Sequence, residues 1–326
     1  MKFASLGTQT IAGVLFIIFG SCTASHNKST EKLVVAQDGS GDFTTVQAAF
    51  DAVPTDNETP VTIYIKNGTY KERLVLDTRK DFVSLVGESR DKTILTYDNH
   101  AGMIMANGDT INTWNSASFF IYASDFKAEN ITFENNAGFT AGQAVAVFAH
   151  GDRLKFTECN FVGFQDVLFL SGPGSRQYFE NCYIEGTTDF IFGPSTAVFQ
   201  SCHIHSKKKS HVTAASTPRE VKYGFVFFDC KLTGDENLKG VSLGRPWTPY
   251  ASVTYIRCDI GKHISEDGWN NWRNPANEET ARYAEYQSTG PGAHPDRRLS
   301  WIKQLNDAEV EQYTIKNIFL NWDPRK

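Results

Sequence analysis

The 326-residue sequence predicts an all-β protein built as a parallel β-helix, a solenoid closed by short capping helical segments. Three observations predict it. The first is a repeated frame, aromatic-x-x-Cys, at Phe156/Cys159, Phe179/Cys182, Phe199/Cys202, Phe227/Cys230 and Tyr255/Cys258. An apolar residue follows two positions after each cysteine, and an earlier copy without cysteine stands at Phe126-x-x-Glu129-Asn130-Ile131. The second is the period: the aromatic positions are 30, 23, 20, 28 and 28 residues apart, from Phe126 to Tyr255. Repetition on that scale marks stacked supersecondary units. The third is the alternation of apolar residues in KFTECNF and YFENCYIEG, which indicates short strands with one buried face. The framework of leucine-rich repeats is absent, and apolar patterns of helical length are scarce. Successive coils then stack about 4.8 Å apart, and equivalent residues form columns.

The elements follow in order. Lys2 and the apolar stretch Ile11 to Phe19, too short to span a bilayer, read as a targeting signal ending in Phe19-Gly20-Ser21-Cys22. This predicts a lipoprotein-type signal at 1–22 with a lipid anchor on Cys22, although Phe19 is bulkier than such sites usually carry; the alternative is an ordinary secretory signal. A polar tether follows at 23–31, then a single domain at 32–326. Either signal implies export. Thr44 to Val53 has helical spacing before Pro54 and can cover the first coil. The tail after Trp301, with LNDAEVEQY, can cover the last. Exposed strand edges at solenoid ends need such covers. A capped solenoid can stand alone, so a monomer is expected.

Composition narrows the partners. Net charge is −5, and the only basic run is Lys207-Lys208-Lys209, which excludes nucleic acid as a partner. That triplet reads as a solvated loop, or alternatively as a contact for a polyanion. The five repeat cysteines would fill an internal column as small hydrophobes. No CxxC or Cys/His ligand spacing is present, which supports that structural role over redox or metal chemistry.

Gln143, Asp166 and Asp189 lie at intervals of 23 and 23 residues, and each aspartate is seven past a repeat cysteine. Stacked coils therefore place the two carboxylates on neighbouring rungs, with Gln143 one rung earlier and Gln165 beside Asp166. Two carboxylates so close cannot both ionise cheaply, which yields a protonated acid beside a charged one. That pairing suits acid–base chemistry with a nucleophile, and glutamine amides can donate to an oxyanion. The alternative is that both aspartates only shape turns. Arg245, held between Gly244 and Pro246 in LGRPW, can offer a carboxylate two hydrogen bonds. Trp247, and Trp269 in DGWNNW, are flat rings suited to sugar faces.

At these residues the sequence resembles the pectin methylesterases, or pectinesterases. The motifs occur in order along nearly all of the domain: DGSGDFTTVQAAFDAVP, NGTYKERL with Gly68, Tyr70 and Glu72, GQAVAV, FQDVLF, GTTDFIFG, LGRPW, GWNNW and STGPGA. The resemblance implies a right-handed parallel β-helix that removes methyl esters from galacturonate units of pectin. It implies Asp189 as nucleophile, Asp166 as acid and then base, Gln143 and Gln165 as oxyanion donors, and Arg245 as the partner of Asp189; it implies no metal or organic cofactor. Thr113, Phe192 and Trp247, with Gln143 and Arg245, would contact substrate. Val167 and Phe169 stand where the family commonly has Thr and Tyr, Thr188 where an aliphatic residue is common, and Phe148 where many plant members have arginine. Two other readings remain: an esterase or thioesterase for another ester, and a non-catalytic polysaccharide-binding lipoprotein. Both aspartates, both glutamines and the arginine argue against the second. Lyases and polygalacturonases would need a calcium-binding acidic cluster or aspartates spaced otherwise.

Overall fold

The computed structural model describes residues 1–4, 31–172 and 174–326. Cys22 and nearly all of the expected signal and tether lie outside these residues. The described strands form three sheets of 11, 8 and 7 strands, and every ladder between them is parallel. One coil shows the plan. Leu154–Thr157 lies in the first sheet, Asn160–Val162 in the second and Leu168–Leu170 in the third. The chain then re-enters the first sheet at Arg176–Glu180.

The predicted columns are the core. Phe156, Phe179, Phe199, Phe227 and Tyr255 are in register on successive rungs. Their rings stack at centroid distances of 4.9, 4.8, 4.4 and 4.4 Å, with planes within 11° of parallel. Each such pair adds about 0.5–1.5 kcal/mol beyond its area burial. The five repeat cysteines are free and buried. From Cys182 onward, each thiol donates to a main-chain carbonyl one coil back, as Cys182 does to Phe156 O at 3.5 Å. Burial pushes the Cys159 thiol up to about 12, so it is space-filling and not a nucleophile. The residue before each cysteine (Glu158, Asn181, Ser201, Asp229, Arg257) turns the chain in the left-handed region, with φ of 52–53°. One such residue per coil bends the first sheet into the second.

The helix Val46–Ala52, capped by Thr45, buries Val46, Ala49 and Phe50 against the first coils. The carboxylate of Glu72 accepts from Val46 N and Gln47 N at 2.9 and 3.0 Å, which ties the NGTYKERL segment to this cap. At the other end the expectation needs correcting. Leu299, Trp301 and Ile302 cover the last coil, beside a buried Arg298–Glu285 ion pair at 2.8 Å. The LNDAEVEQY segment instead starts a return along the side of the solenoid. Helices Asp307–Val310 and Ile315–Phe319 pack on the outer face of the first sheet, over Tyr178, Val198, Val226, Phe228, Ile256 and Tyr286. That outer face is apolar on five successive rungs, and the tail removes it from water. Arg176 Nη1 donates to Phe319 O at 2.8 Å and Tyr223 OH to Gln312 O at 2.9 Å, which fixes the path.

Candidate active site

The corner between the second and third sheets carries the polar residues. Gln143, Gln165 and Thr188 are joined by successive parallel bridges, so the residues after them, Ala144, Asp166 and Asp189, form one column. Asp166 N donates to Thr188 O at 3.0 Å and Asp189 N to His211 O at 2.8 Å. Both aspartates turn the corner in the left-handed region, with φ of 62° and 48°, a conformation aspartate tolerates better than most residues. Gly186 makes the second corner possible: a Cβ there would lie 2.3 Å from Phe190 Cβ. The apolar run then alternates. Phe190 fills the core, while Phe192 lies on the outer face and stacks on Phe169 at 4.5 Å.

Arg245 supplies the expected partner. Its Nε and Nη2 donate to the two carboxylate oxygens of Asp189 at 3.0 and 2.6 Å. Behind it, the guanidinium lies 3.6 Å from the ring centroid of Trp272. Burial pushes both aspartates above the usual carboxylate range, but unequally. For Asp166 the charge of Asp189 adds to burial, and the carboxyl is held well above its ordinary value. For Asp189 the hydrogen bonds and charge of Arg245 oppose burial, and the rise is smaller. The pair is therefore polarised, with Asp166 the carboxyl that keeps its proton more readily and Asp189 the one that gives it up more readily.

These groups line a cleft of about 200 Å³ with Thr113, Phe192 and Trp247. The structure thus brings together eight of the nine predicted residues. Trp269 is the exception. It is 3 % exposed, packs on Tyr283 at 4.3 Å and donates its indole N–H to Glu285 at 2.8 Å. The bridge between Gly244 and Trp269 explains this, because the missing side chain of Gly244 leaves room for the ring inside the coil. The second tryptophan of GWNNW, Trp272, is the one in the cleft. Sequence reasoning also missed Trp114, which stacks on Trp247 at 5.6 Å, and its only signal was adjacency to Thr113. His211 follows Asp189 in the same column, but it stands nine residues past Cys202 instead of seven, so the period does not reach it. Its Nδ1 lies 2.6 Å from Ser242 Oγ, and burial lowers its pKa to about 4, so it is neutral.

A protonated carboxyl, an anchored carboxylate and two amide side chains around one apolar-walled cleft are equipped for acyl transfer at an ester carbonyl. Comparison with known proteins agrees. A profile of the family described as Pectinesterase matches residues 32–322. The chain belongs to the pectinesterase family. Pectinesterase 31 of Arabidopsis thaliana is 39% identical over 290 residues, covering 87% of this chain and 91% of that protein. A pectinesterase/pectinesterase inhibitor of Brassica campestris is 37% identical over 298 residues, and this chain spans about half (51%) of its length. Among solved structures, pectin methylesterase from carrot superposes with a TM-score of 0.81 at 33% identity, covering 89% of this chain and 93% of that one. The enzyme from Erwinia chrysanthemi gives 0.80 at 30%, covering 91% and 99%. The fold is the right-handed parallel β-helix of these pectinesterases, and the chain is a carboxylic ester hydrolase.

Phe169 and Phe148 lie on the outer face of the third sheet, packed with Phe192 and Trp247 of the cleft. Phe169 stacks on Phe192, and Phe148 meets Phe169 edge-on at 5.0 Å, which extends an apolar floor along the third sheet. Thr188 contributes through its main chain, as the acceptor for Asp166 N.

Proposed function

We propose that this pectinesterase removes methyl esters from galacturonate units of pectin by a two-step route through an acyl-enzyme. The observation that carries this reading is the asymmetry of the aspartate pair. Only Asp189 has the guanidinium, so only Asp189 is held ionised as a nucleophile. Asp189 attacks the C6 ester carbonyl, and the amides of Gln143 and Gln165 donate to the oxyanion that forms. Collapse of the tetrahedral intermediate breaks the bond to the methoxy oxygen, which takes the Asp166 proton and leaves as methanol. Asp166, now a carboxylate, takes a proton from water as that water attacks the acyl group. This restores Asp189 and releases the galacturonate carboxylic acid. Trp247, Trp114 and Phe192 offer apolar faces to the sugars.

Methanol release from highly methylated pectin, by wild type and by Asp189→Ala, tests this. The wild type is expected to release methanol and the variant none. No release by wild type sinks the reading, and full activity of the variant refutes the nucleophile. The same reading takes the protein to be exported and lipid-anchored on Cys22, supported by the apolar stretch Ile11 to Phe19 before Gly20-Ser21-Cys22. Radiolabelled palmitate incorporated by wild type and not by Cys22→Ser is the expected result. A monomer is expected in solution, by sedimentation.

A further inference from the structure

We propose that the corner one coil beyond Asp189 is a cationic subsite for free carboxylates, one that binds already de-esterified galacturonate units of the polymer. The proposal rests on the pectin reading above. Strand register isolates the feature. Gly186 pairs with Ser206, and Asp189 N bonds to His211 O, so the two corners begin and end in step. Between those points the nucleophile's coil has only Thr187 and Thr188, whereas the next has Lys207, Lys208, Lys209 and Ser210. Two residues must loop out, and the exposed ones are Lys208 and Lys209.

Lys207 is already engaged, with Nζ 2.8 Å from Glu185 and 4.1 Å from the Phe164 ring centroid. Lys208 lies 5.7 Å from the ring centroid of Phe139, which packs edge-on against Phe164 beside Gln165. Lys209 drapes over Gly240, where a Cβ would come 2.8 Å from its Cε. Asp235, the first residue after the strand on the following coil, is taken by His205 at 3.0 Å. Among the described residues, no carboxylate pairs with Lys208, Lys209 or Arg273.

Arg273 completes the subsite. A cavity of about 390 Å³, lined by His211, Arg245, Asn270, Trp272 and Arg273, adjoins the catalytic cleft and shares Arg245 and Trp272 with it. It has no carboxylate in its lining. Trp272 and Arg273 both stand in the left-handed region, at φ of 60° and 56°. Their N–H groups are held by the side chains of Asn270 and Asn271 at 2.8 and 2.9 Å. The backbone that presents Arg273 is therefore braced.

The charge balance supplies the reason for such a site. The protein carries a net −5, and in the cleft the Asp189–Arg245 pair is neutral while Asp166 is protonated. A polyuronate meets no net attraction there. The unpaired cations Arg273, in the adjoining cavity, and Lys208 and Lys209, on the corner one coil beyond Asp189, provide it locally, and de-esterified stretches feel it most because they carry most charge.

The test is calorimetric titration of a short, fully de-esterified galacturonate oligomer into wild type and into Lys208→Ser/Lys209→Ser, at low and moderate salt. Exposed ion pairs are individually weak, so the double variant is expected to bind about fivefold more weakly, with a shallower salt dependence. Arg273→Ser is expected to give a further loss. Equal affinity and salt dependence in the double variant, or no binding to wild type, overturns the subsite and leaves a solvated loop. Both lysines are exposed, so coincident thermal transitions should show an intact fold. Methanol release by the same wild-type sample separates the two claims. Binding without methanol removes the proposed function alone, whereas methanol with unchanged oligomer affinity removes the subsite alone.

Discussion

Arg245→Ala should raise the pH at which Asp189, the proposed nucleophile, gives up its proton. The Asp189 side chain is 8% exposed and that of Arg245 22%, and two hydrogen bonds of 3.0 and 2.6 Å join them. Removing one partner of a buried pair costs about 3–5 kcal/mol when the other charge stays. Asp189 can avoid that cost by taking a proton. At about 1.36 kcal/mol per pH unit, the lower end of the range moves its titration up by about two pH units. The sign is fixed by the chemistry: attack needs the carboxylate, so activity is lost as pH falls through the Asp189 titration. The acid limb of kcat/KM for methanol release, which reports the free enzyme, should therefore move upward by about two units. In Arg245→Lys the charge persists without the two-point contact, and the limb should move less. Turnover should fall more than KM rises. An acid limb that stays in place in Arg245→Ala, with KM alone altered, would make Arg245 a substrate contact and refute the pairing.

Trp272→Ala should lower kcat about fivefold, since a ring over a guanidinium contributes roughly 1 kcal/mol, and Trp272→Phe should recover most of it; an unchanged acid limb would remove Trp272 as a support of Arg245. Asp166→Asn should cost about 10²–10⁴ in turnover, the usual worth of a positioned acid, measured as methanol release. The same variant should melt higher than wild type, increasingly so as pH rises. The folded-state pKa of Asp166 is raised, so its penalty is absent below the unfolded value and grows until the folded carboxyl itself titrates; parallel melting curves from acid to neutral pH would contradict this. A thiol reagent should label none of the five repeat cysteines in the native protein and all five in guanidinium, because each is buried.

The coil architecture was legible because each rung repeats the same chemistry. Phe179, Cys182 and Asp189 stand at fixed offsets, and a column in space is a period in sequence. The corner with Asp166 and Asp189 inherited that legibility, whereas His211 did not, because two extra residues precede it on its coil. What could not be read were the pieces that leave the period. Trp269 and Trp272 are three residues apart in one motif, yet one fills the core opposite Gly244 and the other covers Arg245. The difference lies in a loop whose shape is set by Asn270 and Asn271. The tail was misplaced for a related reason. Its helices look able to cover an end, and only the apolar outer face of the first sheet, visible once the rungs are stacked, decides where they lie.

That tail has a mechanical consequence. A solenoid is weakest between its coils, like a stack of plates that can slip or part at any level. A slip of even a fraction of an ångström between the Asp166 and Asp189 levels would change how the two carboxyls sense each other. The returning segment crosses the rungs from Tyr286 back to Arg176, gripping the stack from outside at Tyr223 and again at Arg176. It works as a splint along the very levels that carry Asp166 and Asp189, so truncation after Trp301 would loosen that corner from the other side of the solenoid, without removing any residue that lines the cleft.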